Sequence, residues 1–170
     1  MSDLLIKRSA IFSDDGVYRY RLDRDLNRPG RVASITMVNG STAGGEVDDH
    51  TIRKWYGFAD RFDIGRFIVG NKFGLAARDV RRLGQVADPI GPENDRHLAE
   101  IAGEADLHIV AWGPLGKLPP SLRGRWIKVV AILHAANARL MCLGIANDGQ
   151  PLHPLTLGYE RELVEWSPPA

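Results

Sequence analysis

Four short apolar runs punctuate this chain, and each breaks off in a cluster of small or polar residues. The runs span residues 32–38, 67–69, 107–112 and 138–145, and the clusters are Asn39-Gly40-Ser41-Thr42, Gly70-Asn71, Gly113-Pro114 and Asn147-Asp148-Gly149. Runs of this length bounded by turn formers read as buried strands. Helical periodicity fills the gaps. Residues 49–62 put Ile52, Trp55, Tyr56, Ala59 and Phe62 on one side, 93–105 do the same with Leu98, Ile101, Ala102 and Ala105, and 121–136 with Trp126, Val129, Val130 and Leu133. Strand alternating with helix predicts an α/β domain with a parallel sheet, and right-handed crossovers place helices on both faces. In open sheets of this kind ligands bind beyond the carboxyl ends of the strands. The four clusters are therefore expected on one rim.

Ahead of these runs, residues 8–24 alternate Tyr18, Tyr20 and Leu22 with Arg19, Arg21 and Asp23 after the turn signal Asp15-Gly16, which predicts an antiparallel hairpin. Residues 71–92 read as a long loop rich in Arg, Gly and Asp with room for one helical turn, and 165–170 as a terminal extension. A length of 170 residues fits a single domain, residues 1–170, with a real core. The single cysteine, Cys142, excludes an internal disulfide and a cysteine-based zinc site, and its apolar neighbours make it a small core residue rather than a nucleophile. No apolar run nears the ~20 residues that span a bilayer. The first residues carry no signal-peptide pattern, so a cytoplasmic location and no membrane partner are expected. A net charge of +1 leaves nucleic-acid binding to a local basic patch.

The chemistry-bearing residues sit in the clusters. Gly40, Gly44 and Gly45 follow a strand and precede a helix, a loop that can bring backbone N–H groups to a phosphate or a flat ring. Its glycine spacing matches neither the P-loop nor the dinucleotide fingerprint. Asp48 and Asp49 can act as a base or position a water, and Asp49 equally reads as a helix cap. Asn71 ends its strand with a donor and an acceptor, the pair that reads the amide edge of a base; it also suits a turn with positive φ. Gly113 lets the chain turn beside Trp112. His153, fixed beside Pro154, can donate to a developing anion or move a proton near neutral pH. His50 and His153 with nearby acids form no recognisable metal motif, and no cofactor is expected. Arg78, Arg81 and Arg82, like Arg53-Lys54, can contact phosphates or remain solvated.

Several of these stretches resemble a bacterial and phage family of unknown function, domain of unknown function 1643. The resemblance is carried by Asn39-Gly40-Ser41-Thr42-Ala43, Asp48-Asp49-His50-Thr51-Ile52-Arg53 and Asn71-Lys72-Phe73, then by Asp88-Pro89-Ile90-Gly91-Pro92-Glu93-Asn94-Asp95, Ala111-Trp112-Gly113, Cys142-Leu143-Gly144 and His153-Pro154-Leu155. It departs where Gly40 and His50 stand in place of prolines. The order of elements is also similar to the uracil-DNA glycosylase superfamily, although the His-Pro motif lacks that superfamily's serine and its first-loop motifs are absent. This second resemblance implies a three-layer α/β/α sandwich around a short, mainly parallel four-stranded sheet, preceded by the antiparallel hairpin.

It also implies a DNA glycosylase-like enzyme that hydrolyses the N-glycosidic bond of a flipped uracil-like or modified base. Asn71 would read the base and Phe73 or Trp112 would stack on it beside Gly113. His153 would stabilise the departing anion. Asn39, Asp48 and Asp49 compete to position water, while Ser41, Thr42, Arg78, Arg81 and Arg82 would hold flanking phosphates. The partner is then nucleic acid, DNA first, or a nucleotide. Two alternatives stay open: a non-catalytic nucleotide or nucleic-acid binding module, and an enzyme acting on a free nucleoside or nucleotide.

Overall fold

The computed structural model describes residues 5–42 and 44–170. A hairpin opens it, with β1 at Lys7–Phe12 and β2 at Arg19–Asp25. The turn closes where the Asp15 carboxylate accepts from the Ser13 hydroxyl and the Val17 N–H, and Gly16 takes a φ of +74°. A bulge follows at Tyr20, because Ile11 pairs with Arg21 but Phe12 pairs with Arg19. The extra residue flips the alternation. Tyr20 stacks on His97 and Arg21 pairs with Glu104 on one side, while the Arg19 guanidinium reaches Ser41.

The remaining elements follow in alternation: β3 at Arg31–Asn39, α1 at His50–Arg61, β4 at Ile64–Phe73, α2 at Asn94–Glu104, β5 at Leu107–Val110, α3 at Arg125–Ala135, β6 at Leu140–Cys142 and β7 at Val164–Glu165. All seven strands join one mixed sheet in the order β1-β2-β4-β3-β5-β6-β7. The four inner strands, β4-β3-β5-β6, are parallel. This enlarges the expected four-stranded sheet in two ways. The hairpin does not stand ahead of the sheet but continues it, since β2 pairs antiparallel with β4. The expected terminal extension also belongs to the sheet: β7 pairs antiparallel with β6, and Trp166 is 3 % exposed between Trp112 and Trp126.

Helices cover both faces. Alternation along β3 turns Ala33, Ile35 and Met37 toward α1, where Ile52, Trp55, Phe58 and Ala59 complete the first core cluster. On the other face Leu98 and Ala102 of α2 join Val129, Val130 and Leu133 of α3 over Val110, Leu140 and Cys142. Gly70 allows α2 to come this close, because a Cβ there would meet Leu98 Cδ2 at 2.7 Å. Cys142 is fully buried, and burial pushes its thiol up, as befits a core residue. No helix among the described residues is long and apolar enough to cross a membrane.

Residues 71–92 are more ordered than a loop. The strand β4 runs on to Phe73, and a 3-10 turn spans Val80–Gln85 with Asp79 as its cap. The long motif at residues 88–95 is a brace. Asp88 accepts from the Ile90 and Gly91 N–H groups, and the Ile90 and Pro89 carbonyls accept from Gly74 and Leu75. Fully buried Asn94 donates its side-chain amide to the carbonyl of Asn71. The brace thus satisfies backbone groups at the end of β4, beyond the β2–β4 pairing that stops at Val69.

Candidate functional site

The connection leaving β3 passes to β4 on one side of the sheet, while β5 leads on to β6 on the other. Diverging loops of this sort open a crevice at the carboxyl ends of two adjacent parallel strands. A cavity of about 700 Å³ lies there, within the range of small-ligand sites. Val38 and Asn39 enter it from the end of β3, and Trp112 and Gly113 from the end of β5. His153 and Leu155 come from the segment after β6, and Arg78 from the connection after β4.

Asp49 lines the cavity and caps α1, accepting the Ile52 N–H at 2.8 Å. His153 lines it from the far strand loop. Its Nδ1 accepts from the Leu155 N–H at 3.2 Å, which leaves the ring proton on Nε2. Burial, helped by the charge of Lys117, pushes the imidazole below its ordinary range, and Asp49 pulls the other way. The ring is thereby biased toward the neutral form, with one N–H to donate. Asn39 donates its amide to the Ala77 carbonyl at 2.7 Å and, more weakly, to Gly40, so its amide oxygen is left for a ligand. Trp112 is held by Gln150, which accepts its Nε1–H at 2.8 Å, and Gly113 turns with a φ of +79°.

The other residues singled out in the sequence lie elsewhere. Asp48 does not line the cavity. It accepts from Tyr56 Oη and Arg24 Nε at 2.8 Å each and pairs with Arg8. Burial raises this carboxyl, but the hydrogen bonds from Tyr56 and Arg24 outweigh burial and hold it below the usual range. Asp48 thus ties the hairpin to α1. Asn71 does not reach the cavity either: it is 2 % exposed and its side-chain oxygen finds no partner. Phe73 is buried among Leu75, Ala77, Leu83 and Leu118. Ser41 lines the cavity, whereas Thr42 does not. Arg81 is engaged by Asp79 at 2.7 Å, and Arg82 is exposed outside the lining. Among the described residues no cluster of His, Cys, Asp and Glu could hold a metal ion.

Three basic residues received no site role from sequence reasoning. Lys117 lines the cavity from a 3-10 turn at Leu115–Lys117. Arg19 is 3 % exposed beneath Gly40, where a Cβ would meet its guanidinium at 2.7 Å. Lys72 is fully buried with no hydrogen-bond partner on its amine, 5.3 Å from the Trp112 ring centre and 5.9 Å from that of Phe73. Burial drives that amine down to about 7, the Arg125 charge adds to the effect, and Asp148 opposes it.

No curated protein and no solved structure matches the chain. A family model does, over residues 19–155, and so covers most of the cavity-lining residues. The chain belongs to that family, the proteins of unknown function named DUF1643.

Proposed function

We propose that the cavity hydrolyses the N-glycosidic bond of a nucleobase, presented in DNA or as a nucleotide. The observation that carries this reading is the sharing of one cavity by the Asp49 carboxylate and a His153 imidazole held toward its neutral, donating form. Breaking the bond from the sugar anomeric carbon to nitrogen sends the electron pair to the base and leaves positive charge on the sugar. Asp49 complements the cation. The Nε2–H of His153 donates to the anion. Water then adds to the sugar carbon, with the free amide oxygen of Asn39 available to orient it, and its proton passes to the base. Pre-aimed groups of opposite sign match the charges that develop, which is where electrostatic catalysis gains most.

Asn71 as reader of the base has no support from its position, and Ser41, Thr51 and Thr156 are further polar residues of the lining that a base can meet. Leu155 favours a nucleic-acid substrate. It is 48 % exposed at the cavity lip beside His153, an apolar point able to press into a stack that has lost a base. The test incubates the protein with oligonucleotides and nucleotides carrying normal and modified bases, then measures alkali-labile sites and free base. Release that falls in His153→Ala supports the reading. Tight binding with no released base from any member of the panel leaves a binding module instead.

A further inference from the structure

We infer that the cavity takes a phosphate-bearing ligand, whose phosphate lies between Arg78 and Lys117. The two cations stand on different loops, one after β4 and one after β5, and both line the cavity. Their chain neighbours Ala77 and Leu118 are buried in one apolar cluster and line the cavity too. Arg78 and Lys117 therefore rise beside a common apolar floor. Neither makes an ion pair or hydrogen bond with any described residue. Of the nearby arginines, Arg81 is committed to Asp79 and Arg123 to the carbonyls of Leu118 and Gly116, while Arg82 is exposed outside the lining.

Both loops are fixed. Ala77 is held by the Gly40 carbonyl and the Asn39 amide. The Lys117 turn is held by Asp148, which accepts the Leu115 N–H, and by Arg123. Two cations without partners line one concave site on braced loops, and a phosphate supplies acceptors for both. Asp49 and Asp79 also line the cavity; Asp79 is offset by its ion pair with Arg81, which leaves Asp49 as the carboxylate that repels anions. The ligand is thus oriented with its phosphate at Arg78 and Lys117 and its neutral part toward Asp49 and Asn39. The choice of a nucleotide as ligand rests on the glycosidic reading; the phosphate site does not.

The experiment titrates the full chain with deoxyuridine monophosphate, deoxyuridine, inorganic phosphate and a short single-stranded oligonucleotide, by calorimetry and amide NMR. The monophosphate should bind at least about tenfold tighter than the nucleoside, the return expected from one charge-assisted contact. Inorganic phosphate should compete and shift amides flanking Arg78 and Lys117. Arg78→Gln and Lys117→Met should each remove most of the preference, while Arg82→Gln keeps it. Stronger binding of the oligonucleotide than of the monophosphate assigns the phosphate to a nucleic acid, and the reverse order assigns it to a free nucleotide. Indifference to inorganic phosphate together with equal or absent binding of nucleoside and monophosphate overturns the site. So does unchanged preference in both variants. No base release is measured here, so loss of the hydrolytic reading leaves this test intact.

Discussion

Replacing Lys72 by methionine should stabilise the protein, and the gain should depend on pH in a way that identifies the amine. Lys72 is fully buried, and its amine has no hydrogen-bond partner. The native amine releases its proton near pH 7, whereas an unfolded chain keeps it to about 10.5. At about 1.4 kcal/mol per pH unit, that gap disfavours the native state by about 5 kcal/mol when the lysine is charged on both sides. The sign follows from proton counting. Between the two values the unfolded chain binds more protons, so native stability rises with pH across that window. Below about 7 the penalty is complete, and above about 10.5 it is gone. Lys72→Met is nearly isosteric and never pays it. Urea denaturation from about pH 6 to 10 should show the variant more stable by about 5 kcal/mol at the acid end, with the two curves converging toward the alkaline end. At neutral pH the melting temperature should rise by roughly 10–20 °C. Parallel stability curves for wild type and Lys72→Met would refute the reasoning, because they would mean that the amine is as easily charged inside as outside.

His153→Ala should lower any base release by about 3–4 kcal/mol in the transition state while leaving the melting temperature close to wild type, checked by single-turnover kinetics and calorimetry. Lys117→Met should move the NMR titration of the His153 ring upward, since Lys117 helps hold it down. Because the native ring resists protonation, native stability should decline as pH falls below about 6.5, by less in that variant. Asp48→Ala should cost about 3–5 kcal/mol in denaturant unfolding, because it strands the fully buried Arg24, and should leave cavity ligand affinity unchanged. Trp166→Ala should cost a similar amount by removing a buried indole from between two others, whereas deletion of residues 168–170 should cost little.

The helices were legible because their apolar spacing is strong and their ends are marked, as by Asp49 before α1. The polar end of β4 was not. Asn71 and Lys72 made the end of β4 look like a loop, since burial of polar groups at those positions depends on Asn94 and Trp112, which arrive from distant parts of the chain. Trp166 looked like a tail residue because β7 contributes only two residues to the sheet. In the site, the strand-end rule brought out Asn39, Asp49, Gly113 and His153, which share the cavity. It could not separate Asp48 from Asp49, adjacent acids of which one faces the cavity and the other the buried arginine Arg24. Lys117 gave no signal at all, because its place is set by Leu118 packing with Ala77 across about forty residues of sequence.

Trp112 lines the cavity, faces the Lys72 amine and meets Trp166 edge-on at 5.4 Å, with Trp126 next in line. Indoles this close exchange excitation, so the row forms a built-in optical gauge that begins at the cavity wall. A molecule settling against Trp112 would alter emission and near-ultraviolet dichroism without any attached dye. Unlabelled compound collections can therefore be screened by light alone, before anyone knows which reaction to assay.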